Sequence, residues 1–130
     1  MASPNQTPRF VEDGKVWAAE ISTANTGRDG SGTIGTIVTA GAQGSRVDLV
    51  RIVAEGTTTA GVVRIFLHDG STFFLVKEVL ISAITPSTTI EVSVSEWAPT
   101  EPLVLPTSWT LRASTHNAET FNVFVFGGDY

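Results

Sequence analysis

The chain has no cysteine, which excludes disulfides and thiolate metal sites. Lysine is scarce: Lys15 and Lys77 are the only two, and no run of basic residues occurs. Lys plus Arg number 8 against 13 Asp plus Glu, for a formal net charge of -5. Neutralising a phosphate backbone needs clustered Lys and Arg, so DNA and RNA are poor partners for this chain. No stretch approaches the roughly 18 apolar residues of a membrane-spanning helix, so no membrane partner is expected. The opening residues Met-Ala-Ser-Pro-Asn-Gln-Thr-Pro lack the charged and apolar regions of a signal peptide. The expectation is a soluble protein made in the cytoplasm. At 130 residues it should form one domain with a real core.

What is present is alternation. Side chains on a strand point to opposite faces with period two, and this pattern runs almost from end to end. Nothing reads as a helix. Residues 1–14 read as an extended arm, because Pro4 and Pro8 each remove a backbone donor. Residues 15–130 read as a single β-sandwich domain. The first strand spans Lys15 to Ser22, with Trp17, Ala19 and Ile21 on one face. Asn25 to Gly32 is a loop by its turn residues. Thr33 to Thr39 is a strand.

Ser45 to Glu55 is a strand of split phase. Val47 and Leu49 share one face; Val50, Ile52 and Ala54 share the other. A β-bulge near Leu49-Val50 would reconcile them, as would cover on both faces. Val62 to His68 and Thr72 to Leu80 form a hairpin, with Asp69-Gly70 suggesting a type I′ turn. Thr88 to Glu96 alternates most cleanly: Ile90, Val92 and Val94 should face inward. Leu103 to Leu105 is a short edge strand before Pro106. Two further strands carry Trp109, Leu111 and Ala113, and then Thr120 to Phe126.

Roughly eight or nine short strands at regular spacing call for an all-β fold. The expected architecture is a two-sheet antiparallel sandwich, jelly-roll-like. An immunoglobulin-like sandwich is the alternative.

Catalytic chemistry is thinly represented. His68 and His116 are the only histidines, and no third ligand stands at metal-site spacing. No serine lies in a nucleophile turn. Gly27-Arg28-Asp29-Gly30-Ser31-Gly32 is glycine-rich but is no phosphate loop, having no Gly-Lys-Ser/Thr ending and no helix after it. The reading is of a protein that is not an enzyme, with no catalytic, metal or cofactor residues. Trp97 is the most credible exposed aromatic and a candidate glycan platform; a loop anchor is the competing role.

Several strands are apolar on both faces. Phe66 lies opposite Ile65 and Leu67; Phe124 and Phe126 lie opposite Val123 and Val125. An outer sheet face normally meets water, so these aromatics need a cover. That cover is either the protein's own loops or a neighbouring subunit. Phe10 and Val11, apolar on a polar arm, need the same. The interface candidates are therefore Arg9, Phe10, Val11, Phe66, Phe124, Phe126 and Tyr130.

Three stretches resemble small structural proteins of tailed bacteriophages. They are residues 37–70, ending Val63-Arg64-Ile65-Phe66-Leu67-His68-Asp69-Gly70; Ala83-Ile84-Thr85-Pro86-Ser87; and Leu111 to Val123. The resemblance covers roughly residues 33–130 and describes strand ends and turns, not a site. It implies a virion component, most simply a capsid decoration (cement) protein. Such proteins are commonly β-sandwiches, often homotrimers, bound to the major capsid protein on the outside of the shell. A tail, neck or fibre-base module is the other role it allows. A carbohydrate-binding sandwich is the reading from a different class.

Overall fold

The computed structural model describes residues 10–101 and 103–130. Nine strands form two antiparallel sheets packed face to face, with no helix among the described residues. They are β1 (Asp13–Ile21), β2 (Gly35–Thr39), β3 (Ser45–Ala54), β4 (Gly61–His68), β5 (Phe73–Ile81), β6 (Val94–Trp97), β7 (Leu103–Leu105), β8 (Thr110–Thr115) and β9 (Phe121–Asp129). The first sheet is five-stranded, ordered β1-β9-β3-β6, with β7 also pairing β3. The second is four-stranded, ordered β2-β8-β4-β5. This is the antiparallel sandwich that the alternation leads one to expect.

The core lies between the sheets. Val47, Val50, Ile52, Phe121, Val123 and Val125 enter from the first sheet; Val38, Val63, Ile65, Leu111 and Ala113 enter from the second. The split phase of β3 is resolved by a bulge. Val47 pairs with Gly127 and Leu49 with Phe126, leaving Asp48 as the extra residue. The bulge lets Val47 and Val50 both turn inward. Gly127 is required at this point, because a Cβ there would collide with the Arg46 carbonyl oxygen.

Three local expectations are corrected. Thr88 to Glu96 is not one strand; only its end contributes, to β6, and the phase is reversed. Ser95 lies opposite Ile52 and Trp97 opposite Val50, so both occupy the core side, while Val94 is 48% exposed and Ile90 52%. Trp97 sets the phase, since it buries far more area than a valine. The inward Ser95 hydroxyl is satisfied by donating to the Leu80 carbonyl at 2.9 Å.

The β4–β5 hairpin forms without a type I′ turn. That turn needs positive φ at both central residues. Here Gly70 has φ 109°, but Ser108 is the one non-glycine residue with positive φ among the described residues. Instead Asp69 Oδ1 accepts from the Ser71 and Thr72 amides, at 2.9 and 2.8 Å. These bonds hold its carboxyl below the usual range. The N-terminal boundary also shifts. Asp13 and Gly14, assigned above to the arm, pair with Asp129 and Gly128 as the start of β1.

Candidate interaction surface

The two outer faces are treated differently. On the four-stranded sheet, the segment between β1 and β2 folds back as a cover. Asn25 pins it. Its amide Nδ2 donates to the Ser31 and Thr33 carbonyls at 2.8 and 3.0 Å, and its Oδ1 accepts from Gly27 N at 2.9 Å. Its backbone N donates to Thr115 O at 2.8 Å. Gly30, with φ 89°, sits directly on the Phe73 ring, where a Cβ would clash. Phe66 is 0% exposed beneath this cover and meets Phe73 edge-on, centroids 6.0 Å apart. Phe66 is therefore withdrawn as an interface residue: the protein's own loop takes that role.

The same cover buries Arg64, which reaches from β4 into a fully satisfied site. Its Nε donates to Glu78 Oε2 at 2.9 Å, Nη1 to the Asn25 carbonyl at 3.0 Å, and Nη2 contacts His116 Nδ1 at 3.1 Å. Arg28, on the cover itself, reaches the same Glu78 oxygen at 2.8 Å. The two guanidiniums, Arg28 first, hold the Glu78 carboxyl below its usual range. His116 is thus a structural partner of Arg64, and His68 lies against Phe73 with centroids 4.3 Å apart. No three His, Cys, Asp or Glu side chains come together among the described residues.

The outer face of the five-stranded sheet carries no such loop among the described residues. Residues directly opposite on neighbouring strands share a face. Val16, Phe126 and Leu49 form one row; Ala18, Phe124, Arg51 and Glu96 the next; Glu20, Asn122, Val53 and Val94 a third. None of these residues is buried. Val16 is 61% exposed. Arg51 bridges the apolar and charged parts: its Nε donates to Glu96 Oε2 at 2.6 Å, and its guanidinium lies 5.2 Å from the Phe126 ring centre. At one end the Glu55 carboxyl lies beside Glu20, and that proximity pushes the Glu20 carboxyl above its usual range.

Of the expected interface residues, Phe124 and Phe126 lie on this open face, half-buried. Phe10 is 75% exposed. Val11 is half-buried, its side chain seated over Gly128 at the corner of the same sheet. Tyr130 is half-buried and its backbone N donates to the Gly44 carbonyl at 3.2 Å. Arg9 lies outside the described residues. Trp97 packs half-buried against the core, so it offers no open platform for a sugar.

Reading the residues alone missed the aliphatic half of the surface. Val16, Leu49, Val53 and Val94 complete it, and only the register across four strands brings them beside the phenylalanines.

Two concavities differ in size, the larger one, of about 400 Å³, being the shallow open groove between β5 and β6. A cleft of about 120 Å³ between the end of β1 and strands β2 and β8 is lined by Glu20, Ser22, Thr33 and Ser114. That is below the several hundred Å³ of ordinary ligand pockets. A wider groove between β5 and β6, lined by Lys77, Glu78, Leu80 and Glu96, is open to solvent. The broad apolar sheet face is the surface best suited to binding. Comparison with protein-family models, with curated protein sequences and with solved structures found no match.

Proposed function

We propose that this protein is an association module of a tailed-bacteriophage particle. It acts as a homo-oligomeric capsid decoration (cement) protein that binds the major capsid protein on the outside of the shell and stabilises it. The observation that carries this reading is the apolar face around Phe124, Phe126, Leu49 and Val53, over which no described loop folds. Contiguous apolar surface rimmed by charge marks an association site. The resemblance of residues 33–130 to phage structural proteins supplies the setting.

A shell presents the same epitope many times. Modest contacts repeated by an oligomer gain avidity without any single strong site. The disulfide-free sandwich suits such a clamp, because its stability rests on packing and not on redox state. The test is direct. Purified protein is added to bare expanded heads, which are washed, imaged and heated. Bound density on the shell and a higher temperature of DNA release are expected. Heads that neither retain the protein nor gain heat resistance would remove the capsid reading.

A further inference from the structure

We propose that His116 is a proton-operated latch on the cover of the four-stranded sheet. The latch is closed while the imidazole is neutral and released when it becomes imidazolium. The inference stands apart from the capsid reading and does not depend on it.

The latch is a chain of contacts running from the cover into the sheet. Residues 22–34 carry Gly30 onto the Phe73 ring, with Phe66 0% exposed beside it. The anchor of this segment, Asn25, accepts at its backbone carbonyl from Arg64 Nη1 at 3.0 Å. Arg64 is held in turn by His116, its Nη2 lying 3.1 Å from Nδ1 of the ring. His116 is fixed to the sheet, because its backbone N donates to the Val62 carbonyl at 3.0 Å. The residue is half-buried, so its ring is within reach of solvent protons.

A guanidinium carries donors only, so Nδ1 must bring a lone pair to it. Imidazolium has a proton on both nitrogens and no lone pair to offer. Protonation therefore turns a hydrogen bond into two cations facing each other. The guanidinium is 1% exposed, and buried charges are screened little by water or salt. Arg64 can relieve this only by moving, and Nη1 moves with it, away from the Asn25 carbonyl. An imidazole in water takes its proton at about pH 6.5. Because opening frees Nδ1, the open form binds the proton better. Opening is thus favoured as pH falls through the imidazole range and suppressed above it.

The charged groups around the ring come from four places. Arg64 on β4 and Arg28 on the cover keep their charge throughout. Glu78 on β5 is shared by both, Arg28 first, and Asp29 on the cover is bonded by Ser31; both carboxyls are held below their usual range, so both stay ionised at about pH 5. Glu119, further along the same connection as His116, turns to the segment between β3 and β4. Its Oε2 accepts from Thr59 N and Oγ1 at 2.8 and 2.9 Å. The chain has 2 histidines, and the other, His68, lies against Phe73 and so is the rival trigger.

Amide exchange of the full chain at about pH 7.5 and about pH 5 tests the proposal, read as protection so that the intrinsic effect of pH cancels. Protection of residues 22–34 is expected to fall at least about tenfold at the lower pH, with β3 and β9 unchanged. His116→Asn supplies an oxygen acceptor in place of Nδ1 and takes no proton. It is expected to give equal protection at both pH values. His68→Gln is expected to behave as the unaltered protein. Protection that does not change with pH, that still falls in His116→Asn, or that no longer falls in His68→Gln overturns the latch. Should His116→Asn open the cover or fail to fold, the ring-nitrogen shifts of the unaltered protein decide. Protonation of His116 in step with the loss of Asn25 protection supports the latch, and two separate midpoints overturn it.

Discussion

Nη2 of Arg64 lies 3.1 Å from Nδ1 of His116. A guanidinium only donates, so the ring nitrogen accepts and the imidazole proton sits on Nε2. This contact ties the chain after β8 to a residue of β4, beneath a loop that follows β1. It is one corner of the site that closes one face of the sandwich, while no described loop closes the other.

Removing that arginine should loosen the cover. Arg64 is 1% exposed, and its partners Glu78, His116 and the Asn25 carbonyl were desolvated to meet it. Arg64→Ala should cost about 3 kcal/mol in urea unfolding, because it leaves paired groups without partners. Asn25→Ala should cost about 2 kcal/mol and expose the Phe66–Phe73 pair, seen as faster amide exchange in residues 22–34. Unchanged exchange there would show that the loop is held by something else.

Gly127 should tolerate no side chain. A Cβ at this position meets the Arg46 carbonyl oxygen, which belongs to the backbone and cannot swing away. Gly127→Ala should destabilise by about 2–3 kcal/mol, the range of overpacking. Gly14, whose added Cβ would meet nothing within 4 Å, serves as the control. Gly14→Ala should change the urea midpoint little.

The reversed phase of β6 makes a paired prediction. Ile52→Asp places an unpaired charge in the core and should abolish folding. Val94→Asp changes a residue that is 48% exposed and should leave the fold intact by circular dichroism. Val92, only partly buried against the core, should give an intermediate loss when changed to Asp. Unfolding by Val94→Asp would restore the strand phase read from the sequence.

Acid should weaken the protein through depressed carboxyls. Asp129 is held low by Lys15 at 2.7 Å and by the Ser45 hydroxyl; Glu78 is held low by Arg28 and Arg64. A carboxyl with a lowered folded pKa binds fewer protons than it does unfolded, so it stabilises above the unfolded value near 4. That contribution disappears as pH falls through the folded value. The thermal midpoint should therefore drop below about pH 4, and Asp129→Asn should flatten the drop. A profile unchanged by Asp129→Asn would refute the assignment.

Glu20 has the opposite sign. Its contact with Glu55 raises its carboxyl, so the folded state binds the extra proton and stability falls as pH rises through that value. Glu20→Gln should raise the thermal midpoint at neutral pH and have no effect in acid. A lower midpoint at neutral pH would mean that the pair is held by something other than a shared proton.

Much of the fold was legible because alternation and burial obey one period. A bulge in β3 is one of two readings of its split phase; it falls at Asp48, ahead of the expected Leu49-Val50 junction, and turns Leu49 outward. The phase of Thr88–Glu96 could not be read. Three aliphatic residues outvoted one tryptophan in the pattern, yet Trp97 has more area to hide. Asn25–Gly32 was recognisable as a loop, but not as a cover. Its anchor is a polar network reaching Glu78 and His116, and such long-range contacts leave no local trace. For the same reason Phe66 and Phe124 look alike in sequence, although among the described residues only Phe66 is roofed by a loop.

The position of β9 has a consequence for synthesis. It runs between β1 and β3, and Asp13 pairs with Asp129 across nearly the whole described chain. β1 therefore has no strand to bond within its sheet until β9 has been made. Such wide sequence separation slows folding and leaves greasy edges unguarded in the meantime. Deleting Phe121–Asp129 would strand β1 altogether, so a product cut short there should be recovered only as aggregate.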